Sequence, residues 1–324
     1  VGHIRGTALG ESISRILDFQ GEKVIRANYS GDTGMHIAKW IWCYTNFHSK
    51  EKPKADESWI ASIYVDAVKR LSENEDLQKE VDIINQKLDS KSDPEINKLW
   101  EKTRKLSIDA WKKIYQELNT SFDIHFFESE VEQEAKKISQ DLVKKGIAEI
   151  SDDATIVNLK KQNLGVWVVL RSDGTVLYSA KDLALAKRKF EKYKIEDSIY
   201  VVGKEQEMYF HQLFKVLELM KFKQAKNCKY VPINEVRLPH GKMSSRTGDN
   251  ILYSEFMDEL TSFISSDLEK REEKLSEKEK QDRALKIAIA SIKYSMLKQD
   301  VNKNITFDKK EALKGFSSIN KVDN

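Results

Sequence analysis

Two short stretches of this chain carry residue types suited to an anionic ligand. Val1-Gly2-His3-Ile4-Arg5 stands at the mouth of a helix. Gly241-Lys242-Met243-Ser244-Ser245-Arg246 stands in a glycine-flanked loop after what reads as the last strand of a sheet. A helix N-terminus offers unpaired N–H groups and partial positive charge, and a glycine there lets the backbone come close to a phosphate. The ring of His3 can donate to a phosphate oxygen. In the second stretch Lys242 supplies a mobile ammonium, Ser244 and Ser245 supply hydroxyl donors, and Arg246 supplies a guanidinium fork. Gly241 and Gly248 leave such a loop free to close over a polyphosphate as charge builds on a leaving group. Taken singly, each stretch also reads more plainly, as an ordinary helix start and as a basic surface loop.

Elements that position these stretches follow from periodicity and punctuation. Residues 8–20 read as a helix with Leu9, Ile13, Ile16 and Leu17 on one stripe, stopped at Gly21. Residues 23–29 read as a strand, 31–34 as a turn and 36–47 as an aromatic helix. Helix, strand, glycine turn, helix is the rhythm of a doubly wound sheet. Residues 50–122 are Lys/Glu-rich with almost no glycine and carry three helices, at about 56–72, 74–90 and 93–118, the last opened by Asp93-Pro94. The segment reads as a helical insertion between two halves of a sheet, and equally as a separate helical domain. A strand follows at 124–127, then a helix from 129 to about 145. A hairpin is expected from 154–159 and 164–171, and Asp173-Gly174 turns into a strand at 176–178. Helices at 180–193 and 206–221 alternate with strands at 198–203 and 228–236. From Tyr253 to about Glu279 one long charged helix is expected, then another at 284–298, so a domain boundary falls near 250–255.

Composition sets the outer limits. A chain of 324 residues, 40% hydrophobic and 33% charged, fits a globular protein with a substantial core. No apolar run nears the roughly 20 residues that span a bilayer, and no signal peptide is visible at Val1. A net charge of +3 on 55 basic and 52 acidic residues is only a mild pointer to nucleic acid. Two distant cysteines, Cys43 and Cys228, make no disulfide framework, so a reducing compartment, the cytoplasm, is expected. His36, Cys43 and His48 lie close in sequence, but their spacing matches no common zinc pattern, and no metal site is expected there.

Together and in this order, the two phosphate-type stretches resemble the H-x-G-H and K-M-S-K-S signatures of class I aminoacyl-tRNA synthetases. The stretches between them narrow the resemblance to the arginyl-tRNA synthetases. These are Asn28-Tyr-Ser-Gly-Asp32-x-Gly34, Phe126-Phe127-Glu128-Ser129, Ser172-Asp-Gly-Thr-Val-Leu-Tyr178-Ser-Ala-Lys-Asp182 and Tyr200-Val-Val-Gly203-Lys-Glu-Gln206, with Lys293-Tyr294-Ser295 and Phe307-Asp308 further on. The resemblance spans essentially the whole chain. It implies an α/β fold: a Rossmann-type parallel-sheet catalytic core at 1–252 with a helical connective insertion at about 50–122, then the start of an all-α anticodon-binding domain at 253–324. It implies activation of L-arginine by ATP with Mg²⁺, then transfer to the terminal adenosine of tRNA(Arg), by a monomer.

Site residues carry over from the resemblance. Gly2, His3, Gly203, Lys242, Met243, Ser244, Ser245 and Arg246 would serve ATP; Glu128, Tyr178, Asp182 and Gln206 would hold arginine. Carboxylates suit a guanidinium because they meet it with planar, two-point hydrogen bonds. Plainer readings stand beside these: Asp182 as a helix cap, Glu128 as a first-turn charge, Tyr178 in the core, Gln206 on the surface. The sequence departs from the family pattern where Tyr209 stands in place of a common His that helps form the nucleotide pocket, and where Ser245 replaces the second Lys of K-M-S-K-S. The first signature His would precede Val1, so this chain is expected to be truncated at both ends and to charge tRNA poorly by itself. Rival readings are another class I synthetase or nucleotidyl transferase, and a non-catalytic RNA-binding paralogue.

Overall fold

The computed structural model describes residues 2–172, 174–238, 251–270 and 275–307, together with the backbone of Gly241–Lys242. Met243–Arg246, Gly248, Asp173, Asp308 and the final loop at 315–318 lie outside the described residues. Helices dominate, and the parallel strand pairs bear out a mixed α/β class. Contacts divide the chain into two compact units: Ala27–Gly31 with Ile124–Asn234, and the remainder.

The first unit is the α/β one. Strand β1 (Ala27–Ser30) pairs in parallel with β2 (Ile124–Phe127), Ala27 opposite Ile124 and Ser30 opposite Phe127. A short 3-10 turn, Glu128–Glu130, and helix α6 (Glu132–Lys144) follow β2. Strands β3 (Glu149–Ser151), β4 (Ala154–Asn158) and β5 (Val166–Leu170) form an antiparallel meander. Helix α7 (Tyr178–Tyr193) leads to β6 (Ser198–Gly203), and α8 (Glu207–Leu219) crosses to β7 (Cys228–Ile233), parallel to β6. The core is one apolar cluster in which Val131, Ala135, Val169, Leu183, Leu213 and Leu217 are wholly buried.

The other unit holds α1 (Gly2–Phe19), α2 (Met35–Phe47), α3 (Glu57–Glu73), α4 (Gln78–Ser90) and α5 (Pro94–Glu117), with α9 (Tyr253–Lys270) and α10 (Glu277–Leu297). Its short sheet sets β8 (Val236–Leu238) between β9 (Gly241–Lys242) and β10 (Ile305–Thr306). The helices of 57–117 start where the caps say: the Asp56 carboxylate accepts from the Trp59 N–H, and Asp93 accepts from Glu95 and Ile96 ahead of Pro94. They close over Trp42, Ile41, Cys43, Ile63, Ala67 and Val81, all with no exposure. Asp32, in the glycine turn, is buried and meets Arg104 of α5 at 3.0 Å.

Several expected boundaries move. Helix α1 begins at Gly2 and buries Ile4, Arg5, Ala8 and Glu11, while Ile16 of the expected stripe is 57% exposed. Polar partners draw that face inward: Arg5 donates to the carbonyls of Lys303 (2.8 Å) and Asp300 (2.9 Å), and Glu11 receives Arg15 at 2.7 Å. The strand expected at 23–29 is confined to Ala27–Ser30. The strand expected at 176–178 shrinks to a single bridge between Val176 and Leu170, because Tyr178 already begins α7. The strand expected at 228–236 divides into β7 and β8, which lie in different sheets. The single helix expected from Tyr253 to Glu279 is two, since Ser276 starts α10 with a capping box closed by Glu279. Lys242, expected in a loop, lies in β9 opposite Arg237.

Helix α7 depends on its apolar face for its setting. Replacing Leu183, fully buried next to Asp182, with Ala should cost about 2–5 kcal/mol. Urea unfolding of the variant beside the parent chain measures it; a change under about 0.5 kcal/mol would contradict the packing described for α7.

Candidate active site

Strand β2 ends at Phe127 and delivers Glu128 onto the 3-10 turn that follows. This is the carboxyl end of a parallel pair, where open α/β sheets receive ligands. Helix α7 brings the other groups. Its first turn is pinned to β5, because the buried Ser179 hydroxyl donates to the Val168 carbonyl at 2.6 Å. Ala180, Leu183, Ala184, Leu185 and Ala186 then fill the core. With those positions committed inward, Tyr178 and Asp182, four residues apart, share a neighbouring face. Leu177, not Asp182, stands at the N-cap position, so Asp182 is free of capping duty.

Four groups close up around Asp182. The Tyr209 hydroxyl, from α8, donates to Asp182 Oδ2 at 2.5 Å. The Tyr178 and Tyr209 rings lie 4.9 Å apart at 47°, and Tyr209 also leans on Trp167 at 5.9 Å. Lys181, next to Asp182 in sequence, extends to Glu128 Oε2 at 3.1 Å. Tyr29, from β1, favours the charged form of Asp182. Tyr178 is 56% exposed, so its ring offers a face to a ligand.

Charge in this cluster is out of balance. Burial raises the Asp182 carboxyl to about 6; the Tyr209 hydrogen bond and the Lys189 ammonium favour its charged form, and Glu128 opposes it. Burial brings the Lys189 ammonium down to about 8; it donates to Ser198 Oγ at 2.8 Å and lies 3.7 Å from the centre of the Tyr200 ring. Burial and the Asp182 charge together push the Tyr209 phenol well above its ordinary range, so it stays a donor. Two carboxylates that sense each other in a poorly hydrated space are both favoured by an incoming cation. A planar cation with several donors satisfies them better than an ammonium does.

Of the residues singled out from sequence, the structure gathers Glu128, Tyr178 and Asp182. Gln206 ends the 3-10 turn Lys204–Gln206 after β6 and is exposed, one turn ahead of Tyr209. Gly203 closes β6, and its carbonyl accepts from the Tyr230 hydroxyl at 2.8 Å. Its φ of −58° is open to any residue, so the backbone conformation does not itself require glycine. Gly2 and His3 form the first turn of α1 in the other compact unit, with His3 exposed, and Lys242 belongs to that unit too. Lys181, Lys189 and Tyr29 had drawn no notice in the sequence, and Tyr209 was read only as a change in a nucleotide pocket. Lys189 had a readable signal, seven residues after Asp182 and so on the same helix face. Tyr209 and Lys181 had none, because their partners come from other elements.

A sign for the pH dependence follows. The folded Asp182 pKa lies above the unfolded value near 3.9. Ionising it therefore lowers stability as pH rises from about 4 through about 6, by no more than about 3 kcal/mol. Asp182→Asn should raise the unfolding midpoint at pH 7.5 and leave it unchanged at pH 4. Equal shifts at both pH values, in thermal melts, would refute the assignment.

Comparison with known proteins identifies the family. Residues 1–309 match the family described as tRNA synthetases class I (R), catalytic domain. The arginine–tRNA ligase of Bdellovibrio bacteriovorus is 36% identical over 322 residues, covering 97% of this chain and 55% of its own length. That of Clostridium perfringens is 34% identical over 314 residues, with the same coverages. The chain thus spans about half the length of the curated relatives it matches. In fold it is similar to the arginyl-tRNA synthetase of Thermus thermophilus (TM-score 0.79, 23% identity, 97% of this chain and 58% of that one). It is similar also to that of Plasmodium falciparum (TM-score 0.75, 21% identity, 96% and 52%). With a family match running from the first residue to 309, this chain belongs to the arginyl-tRNA synthetase family of class I tRNA synthetases.

Proposed function

We propose that the chain is the catalytic part of an arginine–tRNA ligase, which joins L-arginine to the terminal adenosine of tRNA(Arg) at the expense of ATP. The observation that carries this reading is the pairing of Glu128 with a desolvated Asp182 beside the exposed ring of Tyr178. A guanidinium fits that setting by charge, by its flat fork of donors and by its readiness to lie on an aromatic face. The names of the curated relatives point the same way. In this reading residues 1–252 make up the catalytic domain, 50–122 its helical insertion, and 253–324 open a helical anticodon-binding domain. No described helix is long and apolar enough to cross a membrane.

The reaction follows from positioning. Asp182 and Glu128 hold the guanidinium, Tyr209 keeps one Asp182 oxygen engaged, and Lys181 gives up Glu128 to the ligand. Gln206 stands at the end of β6 to meet the other end of the amino acid. The arginine carboxylate attacks the α-phosphorus of ATP, the bond from that phosphorus to the α–β bridging oxygen breaks, and pyrophosphate leaves; Mg²⁺ accompanying ATP would offset the charge on its phosphates. A ribose hydroxyl of tRNA then attacks the carbonyl carbon and AMP departs. Gly2 and His3 at a helix start, Gly203, and Lys242 with Met243, Ser244, Ser245 and Arg246 serve the phosphates and the adenosine. No covalent bond to the enzyme is needed, so the residues act by orientation and charge stabilisation.

Arginine-dependent pyrophosphate exchange with tRNA(Arg) present tests this reading, using the gene's whole product as well as this chain. Glu128→Gln and Asp182→Asn should each raise the arginine KM about 10- to 100-fold, the effect of losing a charge-assisted hydrogen bond worth about 1.5–3 kcal/mol. Exchange driven equally well by another amino acid, or undiminished in both variants, would reject the assignment. The parent arginine KM should also rise about tenfold between pH 7 and pH 5 as Asp182 takes up its proton near 6.

A further inference from the structure

Away from this cluster, in the helical segment, three dissimilar donors come together. Cys43 lies in α2, His48 at its C-cap, and Asp66 in the middle of α3. Cys43 Sγ, a ring nitrogen of His48 and a carboxylate oxygen of Asp66 all lie within 4.8 Å of one another. Nothing in the arginine site uses them. We propose that they form a zinc-binding site that clamps the end of α2 to α3.

The spacing of the donors is the first support. Zinc bonds of about 2.3 Å to sulfur and about 2.0–2.1 Å to nitrogen and oxygen, set tetrahedrally, put S···O about 3.5 Å apart and N···O about 3.3 Å apart. Here Cys43 Sγ is 3.5 Å and His48 Nε2 is 3.0 Å from the same atom, Asp66 Oδ2. The remaining S···N edge, within 4.8 Å here, would have to come to about 3.6 Å in a tetrahedral site.

The surroundings are the second. His48 Nδ1 is 2.6 Å from Glu51 Oε1, and Glu51 Oε2 accepts from Trp59 Nε1 at 2.8 Å. A carboxylate on the far nitrogen is the usual outer support of a histidine ligand, since it fixes the tautomer and raises ligand basicity. With the proton on Nδ1, Nε2 directs a lone pair at Asp66 Oδ2, itself an acceptor. In the metal-free chain a proton on Nε2 bridges the two atoms, and zinc would take the place of that proton. Arg70 Nε donates to the same oxygen at 2.8 Å and steadies the carboxylate, while its guanidinium rests on Phe47 at 3.8 Å.

Charge and access fit as well. Thiolate, Asp66 and Glu51 contribute three negative charges, and Zn²⁺ with Arg70 contributes three positive ones. The thiol is fully buried, but the side chains of His48 and Asp66 keep 21% and 26% exposure, which leaves a route in and a fourth position for water. Thiolate with imidazole selects zinc over calcium or magnesium. Binding releases the Cys43 S–H proton to solvent as the Zn–S bond forms; nothing is oxidised or reduced.

Cobalt(II) is the direct probe. Chelator-treated protein titrated with Co²⁺ should develop near-ultraviolet sulfur-to-cobalt absorption and visible bands of a tetrahedral ion, saturating at about one equivalent. Zinc should displace both and raise the melting temperature. Cys43→Ser should lose the sulfur band and at least tenfold in affinity, while Cys228→Ser keeps both; His48→Gln gives the same loss if the serine variant does not fold. A folded parent chain with no sulfur-to-cobalt absorption, or a band that survives Cys43→Ser, overturns the proposal and leaves His48, Glu51, Asp66 and Arg70 as an ion-pair network beside the Cys43 thiol.

Discussion

One carboxylate held where water is scarce governs the α/β unit. Burial raises the Asp182 carboxyl to about 6, and the phenol of Tyr209 and the ammonium of Lys189 keep it from rising further. An isolated ion in such a place costs several kcal/mol, so its partners are a condition of the fold and not an ornament of the site. Much of this is arranged along α7. Tyr178 presents a ring, Lys181 reaches Glu128, Asp182 takes the phenol, and Lys189 bonds the start of β6 through Ser198. The alanines and leucines between them are buried, so the polar groups move only if the helix moves. Under the proposed function, the groups that would meet a cation are held in place by the packing of α7, which is how a binding pocket avoids ordering cost on association.

Lys181 adds a further consequence. An ammonium on Glu128 is a weak substitute for a guanidinium: a single compact charge against a two-point fork. It keeps Glu128 from standing as an unpaired charge, and under the proposed function it would yield to the better partner. The lysine thereby limits the repulsion between Glu128 and Asp182 that an empty slot would otherwise carry.

Much of this was legible in the sequence, and the exceptions have physical causes. The helices of 57–117 were readable because their starts are written locally, in Asp56 and in Asp93-Pro94. Glu128, Tyr178 and Asp182 were readable because the motifs containing them are contiguous. The break at Ser276 was hidden because a Glu/Lys-rich run keeps helical propensity on both sides of a capping box. The buried face of α1 was hidden because Arg5 goes inside for two carbonyls nearly 300 residues away. Tyr209 looked like a lost histidine; only the approach of α8 to α7 reveals a hydroxyl donating to Asp182. Cys43 and His48 were noticed together but lacked a third donor, since Asp66 comes from the next helix and meets them only once α2 and α3 pack.

The helical segment between β1 and β2 also bears on how Glu128 comes to its place. Chain leaves β1 at Ser30 and returns at Ile124 to pair with it in parallel. Joining those ends through about 90 unstructured residues would carry a loop-closure cost before any strand contact repaid it. The intervening segment has its own apolar cluster, built from Trp42, Ile63, Ala67 and Val81 on helices that contact near neighbours in sequence. Such local contacts form early and shorten the effective loop. Once the segment is compact, β1 meets β2, Phe127 ends the strand, and Glu128 emerges at the sheet's carboxyl edge. Local packing between the strands thus lowers the loop-closure cost of the parallel pair that positions Glu128.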